Sequence, residues 1–402
     1  MNIVSREPNA PKLPSNLQPL FDAEVPAFSQ GQMERRRKAL TEIMEKAGAS
    51  HMLLSGGDRK GSAIQWLTGW PTGSGHFVVF TPGEQDALYV KNPNNAPLAK
   101  IFAPAAKVSW SAEGSLNLVT QELIRRGAKG KSVGIIGSYG HSLHEKLTDT
   151  GFTPVDLSRA YTRLRLIKSP EELNWLRIGC ALTDMGVEAL GRDTAPGMTE
   201  HELGDIVERG YTRWAGMTQI HYTGVTSMAD PNCCVPRQLP INRVVQKGDV
   251  MFTEISASFW SYPGQVQRSF TIAADPTPLY RDLYQCAEDA FHNVLKVLKP
   301  GAHVNDVLDA ATSIDKAGFT ICDDLVHGYG GGGYLPPVLG TRERPSGSVP
   351  DFTFAENMTV VVQPSVMTKD GKAGLQAGEM VRITATGVER MHHATWGFRR
   401  IG

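Results

Sequence analysis

The stretch QKGDVMFTEISASFWSYPGQVQRSF, Gln246–Phe270, decides how this chain is read. It opens as an apolar strand carrying one carboxylate, Glu254. It turns through Ser261-Tyr262-Pro263-Gly264 and continues as a second, more polar strand. Pro-Gly after a polar residue is turn chemistry, and the flanking residues are strand formers, so a hairpin is expected. A charged group in so apolar a strand is costly to bury without a partner or a task. Glutamine, Gln265, stands on the second strand where another carboxylate would complete a metal-binding pair. The hairpin therefore reads as a metal-site hairpin that has lost part of its ligand set.

Working outward, the capping signals are strong. Ser169-Pro170 with Glu172 opens a helix, and Leu173, Leu176, Cys180 and Met185 recur along it at roughly helical spacing. Thr199 and Glu202 form a second box after Pro196-Gly197, and Lys299–Phe319 repeats that layout from Pro300-Gly301. Two copies of one helix unit, each followed by strands, predict an internally duplicated α+β domain. Upstream, Glu34–Lys46 has helical spacing, HMLLSG reads as a buried strand, and GHFVVFTPGEQDALYVKN as a hairpin. This alternation predicts an α/β domain over residues 1–162, with the duplicated domain over 163–402.

Bulk composition excludes several function classes. The chain has 402 residues, 41% of them hydrophobic, and 41 basic residues balance 41 acidic ones. No global field favours nucleic acid or acidic lipid. Five cysteines without zinc-ribbon spacing (Cys180, Cys233, Cys234, Cys286 and Cys322) read as reduced thiols of a cytoplasmic protein. The N-terminal MNIVSREPNAPKLPSNLQPLF is too polar for a signal core or a membrane span and reads as an extended arm.

The segments IQWLTGW, RLRLIKSPEELNWLR, PGMTEHEL, the hairpin itself, KPGAHVNDV and VHGYGGGGYLPP resemble, in order and spacing, the pita-bread superfamily of creatinase, Xaa-Pro aminopeptidases and methionine aminopeptidases. The resemblance covers nearly the whole chain. It implies a creatinase-like α/β N-terminal domain and an α+β pita-bread domain with a pseudo-twofold repeat. Metallopeptidases of this fold hold two ions with two aspartates, a histidine and two glutamates. Those positions fall on Glu254, Gln265, His327, Gln363 and Gly378, with Glu379 beside the last. A proton-moving histidine falls on Arg237, and the histidine after the His-Gly motif on Tyr334.

Hard divalent ions want anionic oxygens, and amides are poor substitutes. The pattern is similar to that of the metal-independent members, creatinase and ectoine hydrolase, so no metal or other cofactor is expected. The expectation is a hydrolase cutting a non-peptide C–N bond in a small polar molecule. Glu254 would be base or nucleophile, and His327 a proton carrier, with a structural ion pair or an ordinary loop hydrogen bond as their alternatives. Arg237, Gln265, Gln363, Tyr334, Glu379 and Arg342 are candidate substrate contacts. So are Trp70 and His76, through a homodimer in which the N-terminal domain reaches the partner's pocket. The other readings are a metal-dependent Xaa-Pro-type peptidase or lyase of the same fold, and a catalytically inactive binding module.

Overall fold

A computed structural model describes residues 10–56, 62–71, 75–138 and 140–402. The first nine residues of the expected arm, and residues 72–74 of the loop after Trp70, lie outside the described residues. The chain divides into two compact units. One is Ala23–Arg165; the other joins the segment ending at Asp22 to Leu166–Gly402. The N-terminal segment therefore groups with the C-terminal unit, where Leu17 and Phe21 are buried and Phe21 lies 6.2 Å from Phe259, ring centre to ring centre.

The smaller unit is built on β1 (His51–Ser55), β2 (Phe77–Phe80), β3 (Ala87–Val90), β4 (Lys107–Trp110), β5 (Ser132–Ile136) and β6 (Thr153–Asp156), in spatial order β4-β3-β2-β1-β5-β6. β1 pairs antiparallel with β2 and parallel with β5, so the sheet is mixed. Met52 and Leu54 face one apolar cluster and Leu53 faces another, the period-2 alternation of a strand covered on both faces.

The larger unit holds β7 (Met217–Ser227), β8 (Asp249–Phe259), β9 (Tyr262–Pro263), β10 (Val266–Ile272), β11 (Thr320–Ile321), β12 (Val326–Gly330), β13 (Gly333–Leu339), β14 (Thr359–Val362), β15 (Ser365–Met367), β16 (Gly374–Gln376) and β17 (Gly378–Ile383). The main path of its large sheet runs β13-β12-β14-β17-β10-β8-β7. Helices Pro170–Asp193 and Glu200–Tyr211 precede β7, β8 and β10; helices Pro278–Val297 and Val304–Ala310 precede β12, β14 and β17. The two halves meet where β10 pairs with β17, matching the duplicated α+β architecture expected from the repeated Pro-Gly helix starts. Capping boxes open three of these helices, at Ser169, Thr199 and His303. Each satisfies two backbone N–H groups that the first turn otherwise strands.

The quoted hairpin forms as read. Every residue of β8 and β10 is buried. Trp260 and Ser261, both at positive φ (47° and 67°), reverse the chain, and Tyr262–Pro263 folds back on Ser258–Phe259. Among the described residues, no helix is long and apolar enough to cross a membrane.

Candidate functional site

The site is assembled by register. On β8, Glu254 stands opposite Gln267 of β10 on one side and Tyr222 of β7 on the other. Directly opposed residues share a sheet face, and residues two apart on one strand do as well, so Gln265 joins Glu254 and Gln267 on that face. Gln265 Nε2 donates to Glu254 Oε1 at 2.5 Å, and Gln267 Nε2 donates to Gln363 Oε1 at 2.8 Å. Gln363 Nε2 reaches the Asp324 carbonyl at 3.4 Å. Three buried amides, Gln265, Gln267 and Gln363, thus form a web beside one carboxyl group. A second line of residues sets the turn that carries Gln265. Asp184, from the long helix Pro170–Asp193, accepts from His392 Nδ1 at 2.6 Å, leaving His392 Nε2 to accept the Gln265 backbone N–H at 3.2 Å.

Burial, then the neighbouring charges of Asp323 and Asp324, push the Glu254 carboxyl up to about 8, against the hydrogen bond from Gln265. Glu254 therefore carries its proton at neutral pH. His327 lies on β12, fully buried. Its Nδ1 faces the Gly328 carbonyl at 3.1 Å and its Nε2 has no hydrogen-bond partner. Burial lowers it to about 4, so the ring is neutral across the ordinary pH range. Tyr334 stacks on it at 4.1 Å between ring centres and donates its hydroxyl to Asp324 Oδ1 at 2.6 Å.

Other expected contacts have committed partners. Glu379 is next to Gly378 but on the opposite face, opposite Val266 and Val362. There it accepts from Arg268 Nη2 at 2.7 Å and from Arg390 Nε and Nη2 at 2.5 and 2.8 Å. Burial works against its charge, yet the Arg390 hydrogen bond and the Arg268 charge outweigh it and hold the carboxyl below its usual range. Arg237 donates to the buried Glu200 at 2.6 Å, and Arg342 to Asp309 at 2.6 Å on the surface. The structural ion pair that was the alternative for Glu254 does not form: the two candidates, Arg237 and Arg268, are taken by Glu200 and Glu379. In the smaller unit, Trp70 Nε1 donates to His76 Nδ1 at 2.9 Å, both side chains buried.

The fold implies a pair of divalent cations, and the donor set does not fit them. Around Glu254 stand neutral amides in place of carboxylates, poor ligands for hard divalent ions. Gly378 cannot regain a ligand. A Cβ there would lie 2.2 Å from the Val362 carbonyl oxygen and 2.9 Å from Gln267 Oε1, so backbone and the Gln267 amide occupy the space. Among the described residues, no group of three or more His, Cys, Asp or Glu side chains is placed to hold an ion.

Sequence reading missed Gln267, Asp323, Asp324 and the His392–Asp184 support. Gln267 was accessible from the alternation, two residues beyond Gln265 on the same strand. The two aspartates directly precede a buried strand, but nothing local tells which way they turn. His392 lies 127 residues from the amide it supports, beyond any local pattern.

Residues 174–385 match metallopeptidase family M24, and residues 36–167 match the creatinase/prolidase N-terminal domain. The Xaa-Pro dipeptidase of Pyrococcus horikoshii is 22% identical over 379 residues, 89% of this chain and 97% of that protein. The Xaa-Pro dipeptidase of Pyrococcus furiosus is 21% identical, over 89% of this chain and 98% of that protein. Among solved structures, a prolidase from Thermococcus sibiricus superposes with a TM-score of 0.78 at 17% identity, covering 93% of this chain and all of that one. An X-Pro aminopeptidase from Thermotoga maritima gives 0.77 at 16%, covering 91% and 99%. These relatives overturn the expectation of a metal-independent, creatinase-like hydrolase of non-peptide C–N bonds. The similarity runs nearly end to end with proteins named for cleaving Xaa-Pro peptides, in a family described as metallopeptidases. The expectation failed on the substrate class: it took the replaced ligands as a sign of non-peptide chemistry, whereas the frame around them matches proteins named for Xaa-Pro peptides.

Proposed function

The chain belongs to metallopeptidase family M24, and from that premise we propose that it is a peptide-recognising member, taking a short peptide of the Xaa-Pro class without hydrolysing it. The observation that carries this reading is the web of Gln265, Gln267 and Gln363 around Glu254. Hydrolysis in this family calls for ions held by carboxylates, whereas amides offer paired donors and acceptors suited to a peptide group. His327 Nε2, Gln265 Oε1 and Gln267 Oε1 are buried without a hydrogen-bond partner in the protein, so each keeps bonding capacity for a ligand.

In this reading His327, stacked under Tyr334, orients the bound peptide, and Glu254 donates its proton in a hydrogen bond to a peptide carbonyl. We carry the homodimer as part of the proposal, with light scattering as its check. The principal test is calorimetric titration with Ala-Pro and Met-Pro beside a proline-release assay in the presence of manganese, cobalt or zinc. Binding without release is expected; metal-stimulated release of proline overturns the reading. The names of the relatives, matched over nearly their full lengths, favour a second reading, a metal-assisted Xaa-Pro dipeptidase, and the same assay decides between the two.

A further inference from the structure

Beside the amide web the larger unit holds a second feature that the reading above leaves unused. A cavity of about 480 Å³ is lined by Cys322, Asp323, Asp324, Val338, Glu343 and Arg344, among others. That volume lies in the range of small-ligand sites. Three of the named lining residues carry carboxyl groups and one a guanidinium, so the wall favours a cation. Asp324 is nine-tenths buried. Its Oδ1 accepts from the Tyr334 hydroxyl, while its Oδ2 is buried with no hydrogen-bond partner. Asp323 is turned back on it, accepting the Asp324 backbone N–H at Oδ1 at 2.8 Å. Two adjacent carboxyls in a half-closed cavity repel one another and lose hydration, and burial together with Asp324 raises Asp323 to about 6. A compact cation with several N–H donors relieves both costs at once, and a primary ammonium brings three.

We propose that this cavity is an ammonium subsite, in which Asp324 Oδ2 and the Asp323 carboxyl receive the free amino terminus of a ligand whose next groups extend toward Tyr334 and His327. Two contacts link the subsite to the amide web. Tyr334 bonds Asp324 and stacks on His327, and Gln363 of the amide web donates to the Asp324 carbonyl. The inference deepens the peptide-binding reading and rests on it for the identity of the ligand, but its test does not use an Xaa-Pro peptide.

The probes are alaninamide and N-acetylalaninamide, titrated into the full-length protein and followed by amide resonances in nitrogen-15 spectra. Acetylation removes the positive charge and keeps the rest. Alaninamide should bind at least tenfold more tightly than its acetylated form, with the largest shifts at Asp324 and Leu325. Asp324→Asn and Asp323→Asn should each bring that preference below threefold. Circular dichroism melting establishes that the variants fold; if neither does, the wild-type preference and the position of its shifts decide. Equal binding of the two probes, no binding of either, shifts located elsewhere, or a preference that survives both substitutions overturns the subsite. If the preference appears but Ala-Pro does not bind, the subsite stands and the peptide reading falls.

Discussion

Glu254 and Glu379 lie in one sheet on strands separated by β10, both buried, and their environments drive them in opposite directions. Glu254 has amides and other acids about it and keeps its proton to about pH 8. Glu379 has two arginines and stays ionised. For Glu254 the folded state binds more protons than the unfolded one between about pH 4.5 and 8, so stability falls as pH rises through that window and levels off above it. Glu254→Gln keeps the shape and removes the titration. Its stability relative to the parent should therefore climb by about 1.4 kcal/mol per pH unit across the window. Urea denaturation at pH 5, 6.5 and 8 measures this, and a flat difference would mean that the folded carboxyl titrates normally. Glu379→Gln acts the other way. It leaves Arg268, almost fully buried, facing a neutral amide, and should cost about 3–5 kcal/mol. If it costs under about 1 kcal/mol in the same denaturation experiment, the pair is not the clamp described here.

At the level of elements, the β10–β17 junction carries both the fold and the site. Gly378 faces Gln267 across it, and its missing side chain lets β17 approach the Val362 carbonyl closely. Gly378→Ala puts a methyl against backbone atoms that cannot swing aside. A loss of about 3 kcal/mol is expected from overpacking, read as a fall in the urea midpoint with an unchanged slope. For the same reason Gly378→Glu should create no manganese binding in a calorimetric titration, although it restores the family's residue. The helices are less delicate. Ser169 caps the long helix in a full box, and Ser169→Ala should cost about 1 kcal/mol without altering peptide binding, because the cap lies at the far end of the helix from Asp184.

Across the whole molecule, the two units have separate cores, and every residue given a role in peptide recognition lies in the larger one. A ligand that binds only the folded state stabilises it by about 2.7 kcal/mol at a hundred times its dissociation constant. Calorimetry with saturating Ala-Pro should move the transition of the larger unit and leave that of Ala23–Arg165 in place. A shift of both together would show the units unfolding as one.

The architecture was legible along the chain. Capping boxes at Ser169 and Thr199, the Pro-Gly turn at 263–264 and the repeated Pro-Gly helix starts are local signals, each fixed by a few neighbouring residues. They are enough to place the helices, the hairpin and the duplication. The sequence also placed Gln265, Gln363 and Gly378 where carboxylates serve in related proteins. What those replacements mean was decided only in three dimensions. The side-chain space at Gly378 is filled by backbone at Val362 and Gln363 and by an amide two strand positions beyond Gln265. Glu379 is turned to the other face by the pleat and taken by arginines 111 and 11 residues away. The proton on Glu254 depends on Asp323 and Asp324, about 70 residues on, and on burial that no local pattern reports. Charge, desolvation and free volume are sums over everything nearby, and nearness is what the chain acquires only by folding.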